Sequence, residues 1–217
     1  MLFLSMKKTK LSFVVLALTL FVSVPSFAQL GTNNGVLNPN QIGEEELKAL
    51  PHITDAIADA IMDGRPFLGM IEVNEVIGDA LSDDQKAELY ASLFIPVNLN
   101  SAAEEEIILI PSVGKRMAHE FEEYRPYVAL AQFRREIGKY VDDEELARLE
   151  QFVFIPIDLN SASDEDILSI PGLGSRMLHE FKEYRPYKNM EQFRREIGKY
   201  VDERELARLE RYVSLAE

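Results

Sequence analysis

The sequence predicts an all-α protein built from three tandem units of about 60 residues in a row. The chain repeats with a constant period, as residues 37–96, 97–156 and 157–216. Apolar residues inside the units recur at helical spacing, for example Met177, Phe181 and Tyr184. Alternating apolar and polar runs joined by turn pairs, which would indicate strands, are missing, so almost no sheet is expected.

The second and third units are the more similar pair. Between residues 95–153 and 155–213, 39 of 59 aligned positions are identical, which indicates a recent duplication. The first unit is more divergent, but it keeps the dipeptides Leu50-Pro51, Arg65-Pro66 and Ile77-Gly78. Units of this size usually stack against their neighbours.

Each unit is predicted to contain four short helices, described here from the third unit. Ser163 and Asp166 form a capping box that starts the first helix, and Pro171 ends it. "GLGS" is a turn, "RMLHEFKEY" the second helix, and "RPY" a break. "NMEQFRREI" is the third helix and "GKYV" the second turn. The last helix, "DERELARLERYV", begins with Asp202 and Glu205 as another capping box. The segments "IPVNLN" and "IPIDLN" are predicted to be extended connectors.

The N-terminus has the pattern of an export signal. Three lysines lie near its start, at Lys7, Lys8 and Lys10. The apolar run "LSFVVLALTLFVSV" follows and leads to a small-residue cleavage box that ends at Ala28. This run of about 14 residues is shorter than the roughly 20 that span a bilayer. Residues 1–28 are therefore predicted to be a signal peptide cleaved after Ala28, and residues 29–36 a flexible leader. The alternative is an uncleaved membrane anchor.

The composition restricts location and chemistry. The mature chain is expected to be periplasmic or secreted, with no stable membrane span. Because the chain has no Cys, disulfides and thiolate metal sites are excluded. No convergent His–carboxylate set, nucleophile or acid–base pair is visible, so we expect no metal, cofactor, small-molecule substrate or enzymatic activity.

Loss of residues 1–28 changes the net charge from −14 to −17, and such an acidic chain is repelled by phosphate backbones and anionic membranes.

The turn between the first two helices of each unit is the candidate functional feature. In the third unit it contains Gly172 and Gly174. A short hairpin between packed helices often requires positive φ angles, which side chains resist. The helix that follows starts with free N–H groups, which form a phosphate-sized anion site. Alternatively, the glycines serve the turn alone.

The stretch "IDLNSASDEDILSIPGLGSRMLHEFKEYR" is similar to the helix-hairpin-helix repeat of ComEA-type proteins, the exported DNA receptors of bacterial competence. The matching marks are "NLNSA" or "DLNSA", "IPGLG" and "EYR", and the likeness extends over all three units. The resemblance implies two helix-hairpin-helix motifs per unit, in a SAM-like arrangement. It also implies that hairpin amides hold a DNA phosphate while nearby Lys or Arg add charge. Such contacts go to the backbone, so binding would be independent of base sequence.

Carried over residue by residue, the resemblance assigns DNA-phosphate binding in the last two units. The residues are Gly172, Leu173, Gly174, Ser175 and Arg176, together with Val113, Gly114, Lys115 and Arg116. Possible basic support comes from Lys182, Arg194, Arg195 and Lys199. Ser112 replaces the first glycine of the second unit, and the first unit, which reads "HITD", is not expected to bind phosphate. The second turn, "EIGKYV", departs from the family's Gly-x-Gly, and Glu120 and Glu180 stand where a base would suit DNA better.

The charge of the units points to the third one. Each unit has 12 acids, but the bases number 3, 7 and 10. The intact hairpin therefore lies in the least repulsive unit, and DNA binding is expected mainly there, weak and sensitive to salt.

Two functions remain open. One is a DNA-uptake-receptor-like role, and the other is an acidic protein–protein scaffold bound to an envelope partner. Extrinsic lumenal subunits of photosystem II use a similar unit structurally. A positive patch around the third hairpin would favour DNA, whereas bases each beside a carboxylate would favour the scaffold. Arg194 and Arg195 also fit a salt-bridging helix face, and four aromatic residues are expected in the core: Phe181, Tyr184, Tyr187 and Phe193.

Overall fold

The computed structural model describes residues 35–215. Within that range the chain forms twelve α-helices, one 3-10 turn and four strands of two residues each. The prediction of a helical protein with almost no sheet is confirmed. The predicted signal peptide, and the predicted leader up to residue 34, lie outside the described residues. Val36, the last residue of that leader, is buried and belongs to the fold.

The helices follow the same order in all three units. Unit one, defined as residues 37–96, contains α1 (Glu44–Lys48), α2 (Asp55–Asp63), α3 (Met70–Ile77), a 3-10 turn (Gly78–Ala80) and α4 (Asp83–Tyr90). Unit two, residues 97–156, contains β1 (Val97–Asn98), α5 (Glu104–Ile107), α6 (Lys115–Glu123), α7 (Leu130–Ile137), α8 (Asp143–Glu150) and β2 (Val153–Phe154). Unit three, residues 157–217, contains β3 (Ile157–Asp158), α9 (Asp164–Leu168), α10 (Ser175–Glu183), α11 (Met190–Ile197), α12 (Glu203–Glu210) and β4 (Val213–Ser214).

Several helices begin with a side-chain cap at the position that the sequence predicts. Ser163 and Asp166 form the predicted capping box of α9. Asp202 accepts from the amide of Glu205 at 2.8 Å, which is one half of the box predicted for α12. These bonds satisfy amides that a helix start otherwise leaves without partners.

The two ends of each unit pair in parallel. Val97 pairs with Val153 in unit two, and Ile157 with Val213 in unit three. Unit one closes with a single bridge between Leu37 and Leu93. The connectors are therefore extended, as predicted, and each unit ends next to the point where it began.

In each unit one Asn and one Arg form hydrogen bonds with backbone groups elsewhere in the same unit. In unit two both residues belong to the sequence marks of the family resemblance. Asn100 accepts from the amide of Tyr127 at 2.6 Å and donates to its carbonyl at 2.9 Å. Arg125 donates to the carbonyls of Leu99 and Ala102, at 2.6 and 2.5 Å. The same Asn bonds link Asn40 with Phe67 and Asn160 with Tyr187. The Asn of the "NLNSA" mark and the Arg of the "EYR" mark thus have a structural explanation.

The apolar interior is divided into two cores. One continuous core contains the buried residues of units one and two, and a second contains those of unit three with Phe154. The last Phe of a unit packs into the next: Phe94 meets Phe152 at 5.1 Å, and Phe154 meets Tyr212 at 4.6 Å between ring centroids. The aromatic residues expected in the core are buried, with Tyr184 partly so.

Unit three also contacts unit one, so the units do not form the linear row that the sequence predicted. Arg204 donates to Glu72 at 2.6 Å and to the carbonyl of Pro66 at 3.0 Å. Because the connectors are short and Arg204 and Glu72 have opposite charges, unit three can pack against unit one. None of the helices in residues 35–215 has the length and apolar character needed to cross a bilayer.

Candidate nucleic-acid interface

The bend of the first hairpin is the same in all three units, with or without glycine. The residue after the Pro has φ of 63° at His52, 65° at Ser112 and 78° at Gly172. A side chain in this left-handed region raises the energy of the backbone. Gly114 and Gly174, by contrast, have φ of −97° and −98°, which any residue adopts. Of the predicted glycines, only Gly172 is required by its φ angle.

The start of the second helix distinguishes unit one from the others. In unit one, Thr54 accepts from the amide of Ile57 at 3.3 Å. In the other units the N-cap residues are Gly114 and Gly174, which make no side-chain cap. Within residues 35–215 no acceptor reaches the first three amides of α6 or of α10. These amides and the positive end of the helix dipole face outward, an arrangement that suits an anion.

The predicted phosphate-binding residues divide into exposed and buried ones. Arg116 and Arg176 are exposed and make no ion pair among the described residues, and Ser175 is exposed as well. Lys115 lies 3.5 Å from Glu104. The hydrophobic residues of the hairpins, Val113 and Leu173, are buried. The hairpins can therefore offer amides and arginines, while Val113 and Leu173 anchor them in the core.

A cavity of about 450 Å³ joins the two turns of unit two. It is lined by Gly114, Arg116, Met117, Glu120, Lys139 and Tyr140. Unit three has the same six residue types sixty positions later, whereas unit one has Thr54, Ala56, Ile57, Ala60, Asp79 and Ala80. Sequence reasoning missed Lys139 and Tyr140, although the repeated "EIGKY" could have indicated them.

The second turn holds its lysine over a tyrosine pair. The hydroxyl groups of Tyr124 and Tyr140 are 2.8 Å apart, and Lys139 Nζ lies 4.9 Å from the ring centroid of Tyr124. Hydrogen bonding with Tyr124 and Glu120 raises the pKa of Tyr140, so this phenol stays neutral. The bond to Glu136 raises the pKa of Lys139. Lys139 thus carries its charge next to a carboxylate that offsets part of it.

The four supporting bases of unit three all lie beside acids. Lys182 pairs with Asp164 at 2.5 Å, and Arg195 with Glu196 at 2.8 Å. Arg194 pairs with Glu210, and Lys199 with Glu196. Their positive potential is largely offset, and the salt-bridging interpretation of Arg194 and Arg195 fits these contacts.

The last helix of a unit braces the first hairpin. In unit two, Arg148 donates to the carbonyl of Pro111 at 2.8 Å. In unit three the counterpart Arg208 is buried and pairs at 2.7 Å with Glu205, three residues earlier on the same helix. Burial disfavours the Arg208 cation, but Glu205 outweighs this and raises its pKa. A Cβ on Gly172 would lie 3.5 Å from Arg208 Nη2 and 3.1 Å from Gln41 Nε2 of unit one.

Two of the three histidines make only local contacts, whereas His52 lies 2.8 Å from Glu88 on the last helix of unit one. His119 and His179 are exposed and lie 3.9 and 3.5 Å from Glu123 and Glu183 on the same helices. Across residues 35–215 no group of three or more His, Asp or Glu side chains is placed to hold a metal ion.

In comparisons with known proteins, no family model, no curated protein and no solved structure matches this chain. The resemblance to ComEA-type proteins therefore remains an expectation from the sequence marks.

Proposed function

We propose that this protein is an exported, non-catalytic helix-hairpin-helix protein that binds nucleic-acid backbone without regard to base sequence. The main support is a difference between the units at the start of the second helix. Units two and three present three uncapped amides beside Arg116 and Arg176, which make no ion pair within residues 35–215, whereas in unit one Thr54 caps one of the equivalent amides and Ala56 replaces the arginine. Amides at a helix start, together with a guanidinium, are well suited to a phosphate group.

Both units contribute to the proposed interface. The sequence favoured unit three because its hairpin keeps both glycines. The hairpin of unit two, however, has the same backbone bend, the same open helix start and the cavity that brings Lys139 close. Two phosphate sites, one in each unit, follow from this equivalence.

The surrounding charge limits the affinity. The acids beside Lys182, Arg194, Arg195 and Lys199 leave few bases free to release counterions from DNA. With about two to four effective phosphate contacts, log K should fall with log salt with a slope of roughly −2 to −4. Binding is then weak and seen at low salt.

The test uses the cap that unit one already contains. Mature protein is titrated against a labelled mixed-sequence duplex at low and moderate salt, with fluorescence anisotropy as the readout. The double variant Gly114→Thr/Gly174→Thr adds an internal acceptor for the helix amides, and the control Gly114→Ala/Gly174→Ala adds only the methyl group. A Cβ at either glycine meets nothing within 4 Å, so both doubles should fold.

We expect the Thr double to lose affinity by about tenfold to hundredfold, and the Ala double to bind like the wild type. A charge-assisted bond of roughly 1.5–3 kcal/mol is lost only in the first. Arg116→Glu/Arg176→Glu should also abolish binding. If the wild type fails to bind at low salt, or both glycine doubles bind equally, the proposal is wrong.

A second candidate is an acidic scaffold in the envelope. It is favoured by the pairing of the four supporting bases with carboxylates, which was the pattern expected of a scaffold. Cross-linking of the tagged protein in intact cells, followed by identification of the captured envelope protein, tests this role. Capture of a single partner by a wild type that does not bind duplex would establish it in place of DNA binding.

A further inference from the structure

Unit three is attached to the rest of the molecule differently from the way units one and two are attached to each other. Units one and two share one apolar core, while unit three has its own. The apolar link is Phe154, which stacks on Tyr212 next to the connector. The remaining described bonds between unit three and the other two units are polar.

The polar contacts come mainly from two arginines of the last helix and its end. Arg204 donates to Glu72 of unit one at 2.6 Å. Arg211 donates to Glu106 of unit two at 3.2 Å, and the same carboxylate oxygen lies 3.3 Å from the amide of Met70 in unit one. Glu106 thus joins all three units at one point.

These arginines are particular to unit three. Unit two has Glu144 and Gln151 at the equivalent positions, and unit one has Asp84 and Ala91. Unit three has a base where unit two does not at four positions, Lys182, Lys188, Arg204 and Arg211. Two of these four contact other units, so the rise in basic charge along the chain serves docking between units in part.

We propose that Arg204 and Arg211 form an ionic latch, and that unit three swings away about the connector between Phe154 and Ile157 when the latch is released. Small polar interfaces between domains allow relative motion. The Arg204–Glu72 pair is partly exposed, with 47% and 29% of the side chains accessible, so salt screens it. In the closed state Gln41 lies beside Gly172, and opening uncovers that side of the third hairpin.

The latch can be tested by a distance measurement that does not depend on DNA binding. The chain has no native Cys, so spin labels can be placed on cysteines introduced at the exposed Asp59 of unit one and Glu191 of unit three. The distance distribution between the labels is measured by pulsed electron resonance in the full mature chain. The latch variant is Arg204→Glu/Arg211→Glu. Its control, Lys182→Glu/Lys188→Glu, changes the net charge equally without touching another unit.

We expect the latch variant to shift the mean distance to longer values and to broaden its distribution, while the control matches the wild type. An unchanged distribution in a latch variant with wild-type helicity would overturn the proposal. If the latch variant loses helicity, the same distance is measured in the wild type at about 0.05 M and at 1 M salt. Over this range the Debye length falls from roughly 14 to 3 Å. A longer mean distance at high salt supports the latch, and an identical one refutes it.

Discussion

The hydroxyl oxygen of Thr54 accepts a hydrogen bond from the amide of Ile57, 3.3 Å away, and this bond caps an amide whose counterparts in the two later units are uncapped. Gly114 and Gly174 occupy the equivalent positions and have no side chain to offer. The residue before the helix, together with Ala56 in place of the arginine, therefore distinguishes the hairpin of unit one from the two candidate anion sites, although the left-handed bend is shared.

The cap in unit one should be measurable as stability. Thr54→Ala removes the acceptor and should lower the free energy of unfolding by about 1 kcal/mol, with a range of roughly 0.5–2. Thr54→Ser keeps the hydroxyl group and should stay close to the wild type. Urea denaturation followed by circular dichroism checks both, and an equal loss in the Ser and Ala variants would contradict the role of the oxygen.

At the hairpin residue with positive φ, we expect opposite effects on stability from substitutions in units two and three. Ser112→Gly removes left-handed strain of roughly 1–2 kcal/mol and adds about 0.4–1 kcal/mol of unfolded-state entropy, so a net gain of about 0.5 kcal/mol is expected. Gly172→Ser should cost a similar amount. Gly174→Ala is the control, because its φ of −98° carries no such strain and the methyl group adds no helix cap. The denaturation midpoints of the three variants are compared with that of the wild type. A loss of stability in Ser112→Gly would contradict the prediction.

The Asn at the start of each unit should be among its more costly side chains to remove. Asn100→Ala leaves the amide and carbonyl of Tyr127 without their partners, at a cost of about 2 kcal/mol. Ser101→Ala, at an exposed neighbour, should stay within about 0.5 kcal/mol. Chemical denaturation compares the two, and similar small losses in both would show that the amide bonds contribute little.

The ion pairs of the second turn predict an acid-sensitive contribution. Bonds from Lys199 and Arg195 lower the pKa of Glu196 from its ordinary value of 4.5. A lowered folded-state pKa contributes stability that is present above the unfolded value and is lost as pH falls through the folded value. The unfolding free-energy difference between wild type and Glu196→Gln should therefore be constant above about pH 5.5 and shrink below about pH 4.5. Denaturation at a series of pH values measures this, and a difference that grows toward acid would contradict it.

Much of the local structure could be predicted because it depends on near neighbours in the chain. The capping residues Ser163 and Asp202, the stop at Pro171 and the apolar spacing of α10 act within one or two helical turns. The candidate site was predicted in part. Gly174 and Arg176 were found from the hairpin motif, but the approach of Lys139 to Gly114 depends on how two turns pack.

The sequence by itself determined the repeat, the helices, the charge of each unit and the position of the hairpins, because short-range backbone preferences and apolar spacing govern them. Only the tertiary structure decided which bases pair with acids of another helix or unit, and that unit three returns to contact unit one. The reason is distance along the chain: Arg204 and Glu72 are 132 residues apart, and no local pattern brings such partners together.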